Sequence, residues 1–267
     1  FRHSQLINMN WFEAIALGLI QGLTEFLPIS SSGHLEIAKS IFGIDPEANF
    51  YFTIAVHGAT VLSTIVVFWK EIIELISGTL KFKMNDETSY VLKLIVSMIP
   101  VGIAGLFLKD PIESLFNGNI VFVGFMLLIT STLLALAHFI KKREREISYL
   151  DALLIGIAQA IAVIPGISRS GATISTGLMI GNSKDKIARF SFLMVLVPII
   201  GANLLEIMSG EINLNSTSFG IILIGFLAAF VSGYLACRWM IGLVKKSKLI
   251  WFSIYCLIIG LLSIVLG

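Results

Sequence analysis

Charged residues are scarce in this chain, where only 13% of the 267 positions hold Asp, Glu, Lys or Arg. About a quarter of the residues in a soluble protein are charged, so these few side chains cannot cover a surface that faces water. Hydrophobic residues make up 56% of the sequence, and lipid has to replace water around many of them. The shortage of charge therefore excludes an ordinary soluble domain and indicates an integral membrane protein.

The sequence also lacks the patterns that are typical of metal-binding and nucleic-acid-binding proteins. Its two cysteines, Cys237 and Cys256, lie in apolar segments without a spacing motif, and we interpret them as small buried residues. The four histidines show no metal-ligand spacing. The net charge of +2, without a long basic stretch, argues against a nucleic-acid partner. Residues 1–8 do not follow the apolar pattern, and we interpret them as an extension or an expression remnant.

Eight hydrophobic stretches organise the rest of the chain. Six have the length of a membrane-spanning helix, which needs about 20 mostly apolar residues: Phe50–Trp69, Tyr90–Leu108, Ile120–Ile140, Ile187–Met208, Phe219–Val244 and Leu249–Leu266. The other two, Trp11–Gly43 and Leu150–Gly181, have a polar break between apolar arms that are too short to cross alone. We predict that both are re-entrant hairpins. The expected fold is all-α and polytopic, with a single membrane domain over residues 9–267.

The basic residues support this topology. If the side that carries Lys141–Arg145 is called the inside, 13 Lys and Arg fall inside, and only Arg2 and Lys109 fall outside. Cytoplasmic loops carry an excess of Lys and Arg, so the asymmetry predicts that both termini lie outside the cytoplasm. A hairpin that crossed the membrane fully would split the inside group.

The two hairpins align without a gap when the sequence is shifted by 138 residues. The segment Gln21–Gly33 falls on Gln159–Gly171 with five identities. The predicted hairpins enter the membrane from opposite faces. The sequence therefore predicts an inverted-topology repeat, with a first repeat over about residues 9–140, a second over about 147–267, and polar breaks that meet near the middle of the bilayer.

The polar breaks hold three ionisable groups, Glu25, His34 and Arg169, which are costly at membrane depth unless they pair or line a wet cavity. Gln21 and Glu25 share a helix face, and so do Ser31 and His34 if their turn is helical. Helix N-termini bind phosphate, and Arg169 adds a bidentate clamp for an oxyanion. These features predict a phosphate-bearing ligand at a central site in the membrane.

The residues expected to bind phosphate come from both breaks. They are Gln21, Ser30, Ser32, Gly33, Ser168, Ser170, Gly171 and Thr173. Other interpretations exist, because Ser and Gly in membrane helices often serve close packing, and Glu25 is also able to pair with a backbone group or with Lys39. Glu36 and Lys39 are placed at the exit of the first hairpin. His57 has no polar company in the sequence, and we interpret it as structural or interfacial.

Two motifs carry a resemblance to a known family. The segments Gln21–His34 and Pro165–Ile174 resemble the bacitracin-resistance family of undecaprenyl pyrophosphate phosphatases, and the resemblance runs from about Met9 to the C-terminus. It implies six spans, two inverted hairpins, and hydrolysis of undecaprenyl pyrophosphate, which recycles the lipid carrier for peptidoglycan synthesis. It also implies a bacterial cell membrane, a site that opens to the extracytoplasmic side, and a divalent cation, Mg²⁺ or Ca²⁺, held at Glu25.

The resemblance implies roles for six residues, namely Glu25, Ser31, His34, Ser168, Arg169 and Thr173. The family has Glu or Gln at the first position of its acidic motif, and this chain has Gln21, so Glu25 is expected to act alone or with Glu13. Ser31 is favoured over His34 as the nucleophile, and both stay open. Oligomeric state is left undetermined.

Two rival functions deserve comparison with the phosphatase. A lipid-phosphate transporter or flippase of the same architecture is the main alternative, because inverted repeats with broken helices at the midplane are typical of transporters. A type-2 phosphatidic-acid-type phosphatase is less favoured, because the chain has no Lys-x6-Arg-Pro element and no later His followed by an Asp four residues on.

Overall fold

The computed structural model describes residues 9–44, 50–116, 118–140, 144–208, 218–245 and 248–267. Within these ranges the chain is helical, without a strand of any length beyond one isolated bridge between Arg145 and Asn182. The helices are α1 (Trp11–Phe26), α2 (Ser31–Phe42), α3 (Phe50–Val67), α4 (Trp69–Thr79), α5 (Asp86–Phe107), α6 (Lys109–Glu113), α7 (Ile120–Phe139), α8 (Tyr149–Ile161), α9 (Arg169–Met179), α10 (Lys184–Leu193), α11 (Leu196–Met208), α12 (Phe219–Lys245) and α13 (Leu249–Leu266). The predictions for residues 1–8 and for Lys141–Arg143 lie outside the described residues.

The predicted all-α polytopic class is confirmed. Five helical segments in the described ranges are long and apolar enough to cross a membrane, and a sixth is added if the bent pair α3–α4 is one span. The five are α5, α7, the consecutive helices α10–α11, α12 and α13, and α3 passes the same criteria together with α4. The remaining apolar helices, α1 with α2 and α8 with α9, form the two hairpins.

The hairpins begin and turn at equivalent positions. Helix α1 starts at Trp11 and α8 at Tyr149, and α2 starts at Ser31 and α9 at Arg169, so both pairs are separated by the predicted 138 residues. Each first arm opens with a capping box, built by Asn10 and Glu13 in α1 and by Ser148 and Asp151 in α8. The sequence offset therefore reflects a structural equivalence.

Close glycine contacts show the directions in which the arms run. A Cβ on Gly18 would meet Gly225, and one on Gly22 would meet Ala229, so α1 runs parallel to α12. A Cβ on Gly156 of α8 would meet Ser97 of α5. Each first arm thus packs on a helix of the other repeat.

The spans place the two hairpins at opposite faces. Phe52 of α3 lies against Gly225 of α12, and Ser63 lies against Phe230 and Gly233, so α3 is also parallel to α12 and to α1. The chain then returns across the bundle as α5. Tyr149 lies against Ser89 and Lys93, and Gly156 lies against Ser97, so α8 runs parallel to α5. The hairpins therefore enter from opposite ends of the bundle, as an inverted repeat requires.

Two elements differ from the sequence-based expectation. The span predicted at Ile187–Met208 begins at Lys184 and is interrupted at Met194 and Val195. Pro198 explains the interruption, because it has no N–H to donate to the carbonyl of Met194 four residues earlier.

The second difference is α4, most of which lies between the predicted spans Phe50–Trp69 and Tyr90–Leu108, where no helix was predicted. The chain bends by 74° between α3 and α4. Trp69, Ile73, Ile76 and Leu80 are all exposed and recur at helical spacing. Such an apolar stripe is typical of a helix that lies in the membrane interface.

Candidate active site

The polar breaks of the two hairpins meet, as the repeat predicted. The hydroxyl of Ser170 donates to the carbonyl of Leu27 at 3.1 Å, and the N–H of Gly166 donates to the hydroxyl of Ser32 at 3.5 Å. A Cβ on Gly33 would lie 3.1 Å from the Cα of Gly166. Small residues are therefore needed on both sides for the two turns to approach this closely.

Matching serines start the second arms. Ser30 accepts a hydrogen bond from the N–H of Gly33 at 3.2 Å, and Ser168 accepts one from Gly171 at 3.1 Å. Ser30 holds a φ of 71°, which is uncommon for a residue with a side chain, and Ser168 has an ordinary φ of −74°. These hydroxyls, like those of Ser32 and Ser170, organise the junction in this structure, and their predicted phosphate contacts stay a prediction.

Glu25 is the centre of the polar contacts at the junction. One carboxylate oxygen pairs with the guanidinium of Arg169 from the other hairpin. The second oxygen accepts hydrogen bonds from the hydroxyl of Ser31 at 2.6 Å and from the amide of Gln21 at 3.0 Å. Only 5% of the Glu25 side chain is exposed, so a nearly buried carboxylate is compensated by a cation and two donors.

The alternative partners considered for Glu25 are absent from these contacts. Lys39 lies against Glu36 and Thr53 instead. Glu13 caps α1 through the N–H of Asn10, twelve residues before Glu25, so the prediction that it assists Glu25 is not supported by a contact.

A partly open cleft lies beside the Glu25–Arg169 pair. Its wall includes the side chains of Phe26, Phe192 and Ile199. The polar residues that line it are Glu25, Thr60, Thr64, Arg169, Ser170 and Ser191. The Arg169 guanidinium and several hydroxyl groups, next to the paired Glu25 carboxylate, suit an anionic headgroup, and the apolar wall suits the lipid attached to it.

Thr173 connects the second hairpin to α10. Its hydroxyl lies 2.6 Å from the hydroxyl of Ser191, and it donates to the carbonyl of Arg169 at 2.8 Å. Thr173 therefore supports the first turn of α9, from which Arg169 extends to Glu25.

His34 lies one helical turn after Ser31 but contacts a different part of the protein. Its Nδ1 is 2.8 Å from the carbonyl oxygen of Ser30, and its Nε2 is 2.9 Å from the hydroxyl of Tyr255 on α13. A carbonyl only accepts, so Nδ1 carries the hydrogen, and a neutral imidazole then accepts the Tyr255 hydrogen at Nε2. The two rings are stacked with centroids 5.5 Å apart. Among the described contacts none joins His34 to Glu25 or Arg169.

The sequence analysis missed the contribution of α3 to the cleft. Thr60 and Thr64 line it, and His57 lies on the same helix face within electrostatic reach of the Glu25 carboxylate. The interpretation of His57 as a residue without polar company is therefore wrong. The available signal was the spacing of Thr53, His57, Thr60 and Thr64 inside a hydrophobic span.

Comparisons with known proteins agree with this architecture. Residues 14–262 match the family described as bacitracin resistance protein BacA. The chain is 57% identical to a protein of Christiangramia forsetii over 96% of this chain and 98% of the relative. It is 54% identical to a protein of Bacteroides fragilis, over 97% and 99%, and 55% identical to one of Parabacteroides distasonis, over 96% and 98%. All three relatives are named undecaprenyl-diphosphatase. A likeness of this extent places the chain, a multi-pass membrane protein with two opposed hairpins, in the bacitracin resistance protein BacA family.

Proposed function

We propose that this protein hydrolyses undecaprenyl pyrophosphate to undecaprenyl phosphate and inorganic phosphate. The observation that carries the proposal is the Arg169–Glu25–Ser31 arrangement at the junction of the hairpins, in a chain whose relatives are named for this reaction. The released lipid phosphate is the carrier used again in peptidoglycan synthesis, and the activity confers resistance to bacitracin. None of the comparisons supports transport without hydrolysis.

Ser31 is the nucleophile in this mechanism. Its hydroxyl already donates to Glu25, which accepts the proton as the Ser31 oxygen attacks the terminal phosphorus. The anhydride bond to the lipid phosphate breaks, and undecaprenyl phosphate leaves with the bridging oxygen. A water molecule then attacks the phosphorus of the phosphoserine, the Ser31 oxygen leaves and takes back the proton held by Glu25, and inorganic phosphate departs with the protons of the water.

Arg169 stabilises the charge that develops on the transferred phosphoryl group. Its guanidinium pairs with Glu25, so a bound diphosphate competes with Glu25 for Arg169. This competition frees the carboxylate to act as a base. Thr173, Ser168 and the first-turn N–H groups of α9 support the same phosphate, as the sequence predicted.

A divalent cation, Mg²⁺ or Ca²⁺, fits the oxygen donors of this site. Glu25 offers a carboxylate, and the buried side-chain oxygen of Gln21 has no hydrogen-bond partner among the described residues. Those residues contain no cluster of three His, Cys, Asp or Glu that would hold a metal unaided. Glu25 and Gln21 would therefore hold the ion together with oxygens of the diphosphate, where it neutralises phosphate charge.

The cell membrane is the proposed location, with the site open to the extracytoplasmic side and both termini outside. The excess of basic residues on the other side supports this orientation. The substrate's polyprenyl chain stays in the bilayer, which accounts for an active site between membrane helices.

Phosphate release from undecaprenyl pyrophosphate by the purified protein, with and without a chelator, tests the function. Arg169→Ala should reduce kcat by about 10²- to 10³-fold because it removes one preorganised cation. Arg238→Ala is the matched control, since Arg238 is exposed on α12 beside Tyr234. No phosphate release by the wild type, with lipid moved across the bilayer, would favour transport instead.

The covalent step has its own measurement. Rapid acid quenching followed by mass spectrometry should find phosphate on Ser31. A label on His34 would transfer the nucleophile role to that residue, and full turnover with neither residue labelled would exclude a phosphoenzyme.

A further inference from the structure

Lys39 is a buried cation outside the active site. It lies in the last turn of α2 and is 6% exposed. Lysine is almost never this buried unless it is paired. Its ammonium donates to the hydroxyl of Thr53 at 3.3 Å and lies 3.9 Å from a carboxylate oxygen of Glu36. Both contacts are long, so with respect to the described residues the three N–H donors of Lys39 retain capacity for a further acceptor.

Glu36 does not fully account for this burial. Its carboxylate accepts from the backbone N–H of Gly118, and its second oxygen is buried without a hydrogen-bond partner among the described residues. A buried ion pair with such incomplete contacts contributes little to stability. The pair therefore leaves a buried positive charge whose structural benefit is small.

A polar face of α3 connects Lys39 to the active site. Thr53, His57, Thr60 and Thr64 are separated by four, three and four residues, which places them on one side of the helix. The face spans about 16 Å at the usual rise of an α-helix. Thr53, the first residue of this face, accepts a hydrogen bond from Lys39. Thr60 and Thr64, the last two, line the cleft with Arg169.

The middle of this face is half-exposed and carries a ring nitrogen, Nε2 of His57, that has no hydrogen-bond partner among the described residues. Thr53 and His57 both retain partial exposure. The Nδ1–H of His57 donates to the carbonyl of Thr53 at 2.8 Å, which fixes the tautomer and leaves Nε2 directed away from its own backbone. An ionisable residue such as His57 inside a membrane helix typically faces a cavity, a ligand path or a polar partner.

We propose that Lys39, Thr53 and His57 form an outer phosphate subsite, which captures the diphosphate headgroup before it moves along α3 to Arg169. The subsite lies where α2 ends and α3 begins, at the end of the bundle that faces the proposed extracytoplasmic side. Lysine suits this step because it attracts phosphate as a point charge and does not hold it in one fixed orientation. The proposal rests on the phosphatase function proposed above and extends it to substrate entry.

Steady-state kinetics on undecaprenyl pyrophosphate tests the subsite. Lys39→Met should raise KM about tenfold and leave kcat within about twofold, because capture is lost and the reacting groups are intact. Lys39→Arg should keep KM within about threefold of the wild type. Lys93→Met is the matched control, since Lys93 on α5 lies over the ring of Tyr149 on α8.

A double variant separates binding from folding. Lys39→Met with Glu36→Gln removes the buried pair without leaving a lone charge, so its KM should still be about tenfold higher. Glu36→Gln alone keeps the cation and should not raise KM. A double variant with the wild-type KM, or a Glu36→Gln variant as impaired as Lys39→Met, would overturn the subsite. Absence of phosphate release by the wild type would instead refute the phosphatase function itself.

Discussion

The two hairpins share a backbone plan and differ at the positions that do chemistry. In both, a capped first arm leads through a turn to a serine that caps the second arm. At equivalent positions the first hairpin has Glu25, Ser31 and His34. The second has Val163, Arg169 and Ala172. The repeat thus brings two similar turns together, and the side chains divide the work into reactive groups and a phosphate clamp.

The ends of the hairpins opposite their turns differ as well, and we call each of these ends the base of its hairpin. At the base of the second hairpin, Asp151 accepts hydrogen bonds from Arg145 at 2.9 Å and from Asn182 at 3.1 Å, besides the N–H of Ser148. Arg145 also donates to the carbonyl of Ile180. These contacts tie the start of α8 to the end of α9.

The equivalent Glu13 accepts from Asn10 alone among the contacts described for it. The base of the hairpin that supplies the clamp is therefore fixed by a carboxylate with several donors, whereas the carboxylate at the base of the other hairpin makes a single capping contact among the described residues. A fixed arginine suits electrostatic stabilisation, which depends on groups that do not reorganise during the reaction.

Glu25→Gln should produce the largest effect. It removes the base that accepts the Ser31 proton and leaves Arg169 without its ion pair, so kcat should fall by about 10²- to 10⁴-fold. The equivalent change in the second hairpin, Val163→Ala, should leave kcat within about threefold. Equal losses in the two variants, measured as phosphate release, would mean that the hairpins are not chemically distinct.

Asp151→Ala tests the difference at the bases. It removes a cap and several hydrogen bonds to a buried carboxylate, and we expect the free energy of unfolding to fall by about 2–4 kcal/mol. Glu13→Ala should cost only about 0.5–1 kcal/mol, because one capping contact is lost. Thermal unfolding of both variants in the same detergent measures the two losses of stability. A larger loss for Glu13→Ala than for Asp151→Ala would contradict the proposed difference between the hairpins.

Gly22→Ala and Gly156→Ala test what the hairpins have in common. A Cβ on Gly22 would lie 2.4 Å from the carbonyl oxygen of Ala229, and one on Gly156 would lie 2.3 Å from that of Ser97. Each should therefore destabilise the protein by about 1–3 kcal/mol through overpacking. Gly102→Ala, where no atom lies within 4 Å, is the control in the same thermal assay. A strong effect in only one hairpin would break the packing equivalence.

Tyr255→Phe should have the smallest effect. It keeps the stacked ring and removes the hydrogen bond to Nε2 of His34, which is worth about 1 kcal/mol. If His34 takes part in the reaction, kcat should fall by about fivefold and His34→Ala should cause a larger loss. Unchanged rates in both variants would assign His34 to packing between α2 and α13.

The sequence pattern was sufficient to predict the spans, the hairpins and the offset of 138 residues between them, because hydrophobic length and small-residue motifs are local properties of the chain. The same pattern was insufficient to predict helix α4, because its apolar stripe is short and mixed with charges. It was also insufficient to predict the helix interruption before Pro198. The polar face of α3 was visible as a spacing, but its direction depended on neighbouring helices. Lys39 was placed at the hairpin exit, and its burial followed only from packing against α3.

The sequence by itself determined the membrane class, the repeat and the residues able to react, since composition and motif spacing carry that information. Only the tertiary structure decided which of those residues meet. Glu25 and Arg169 are 144 residues apart in the chain and pair because two inverted hairpins bring their turns together. His34, close to Ser31 in sequence, is directed to Tyr255 on another helix instead. A contact between distant elements depends on the packing of the whole bundle, and no local pattern encodes it.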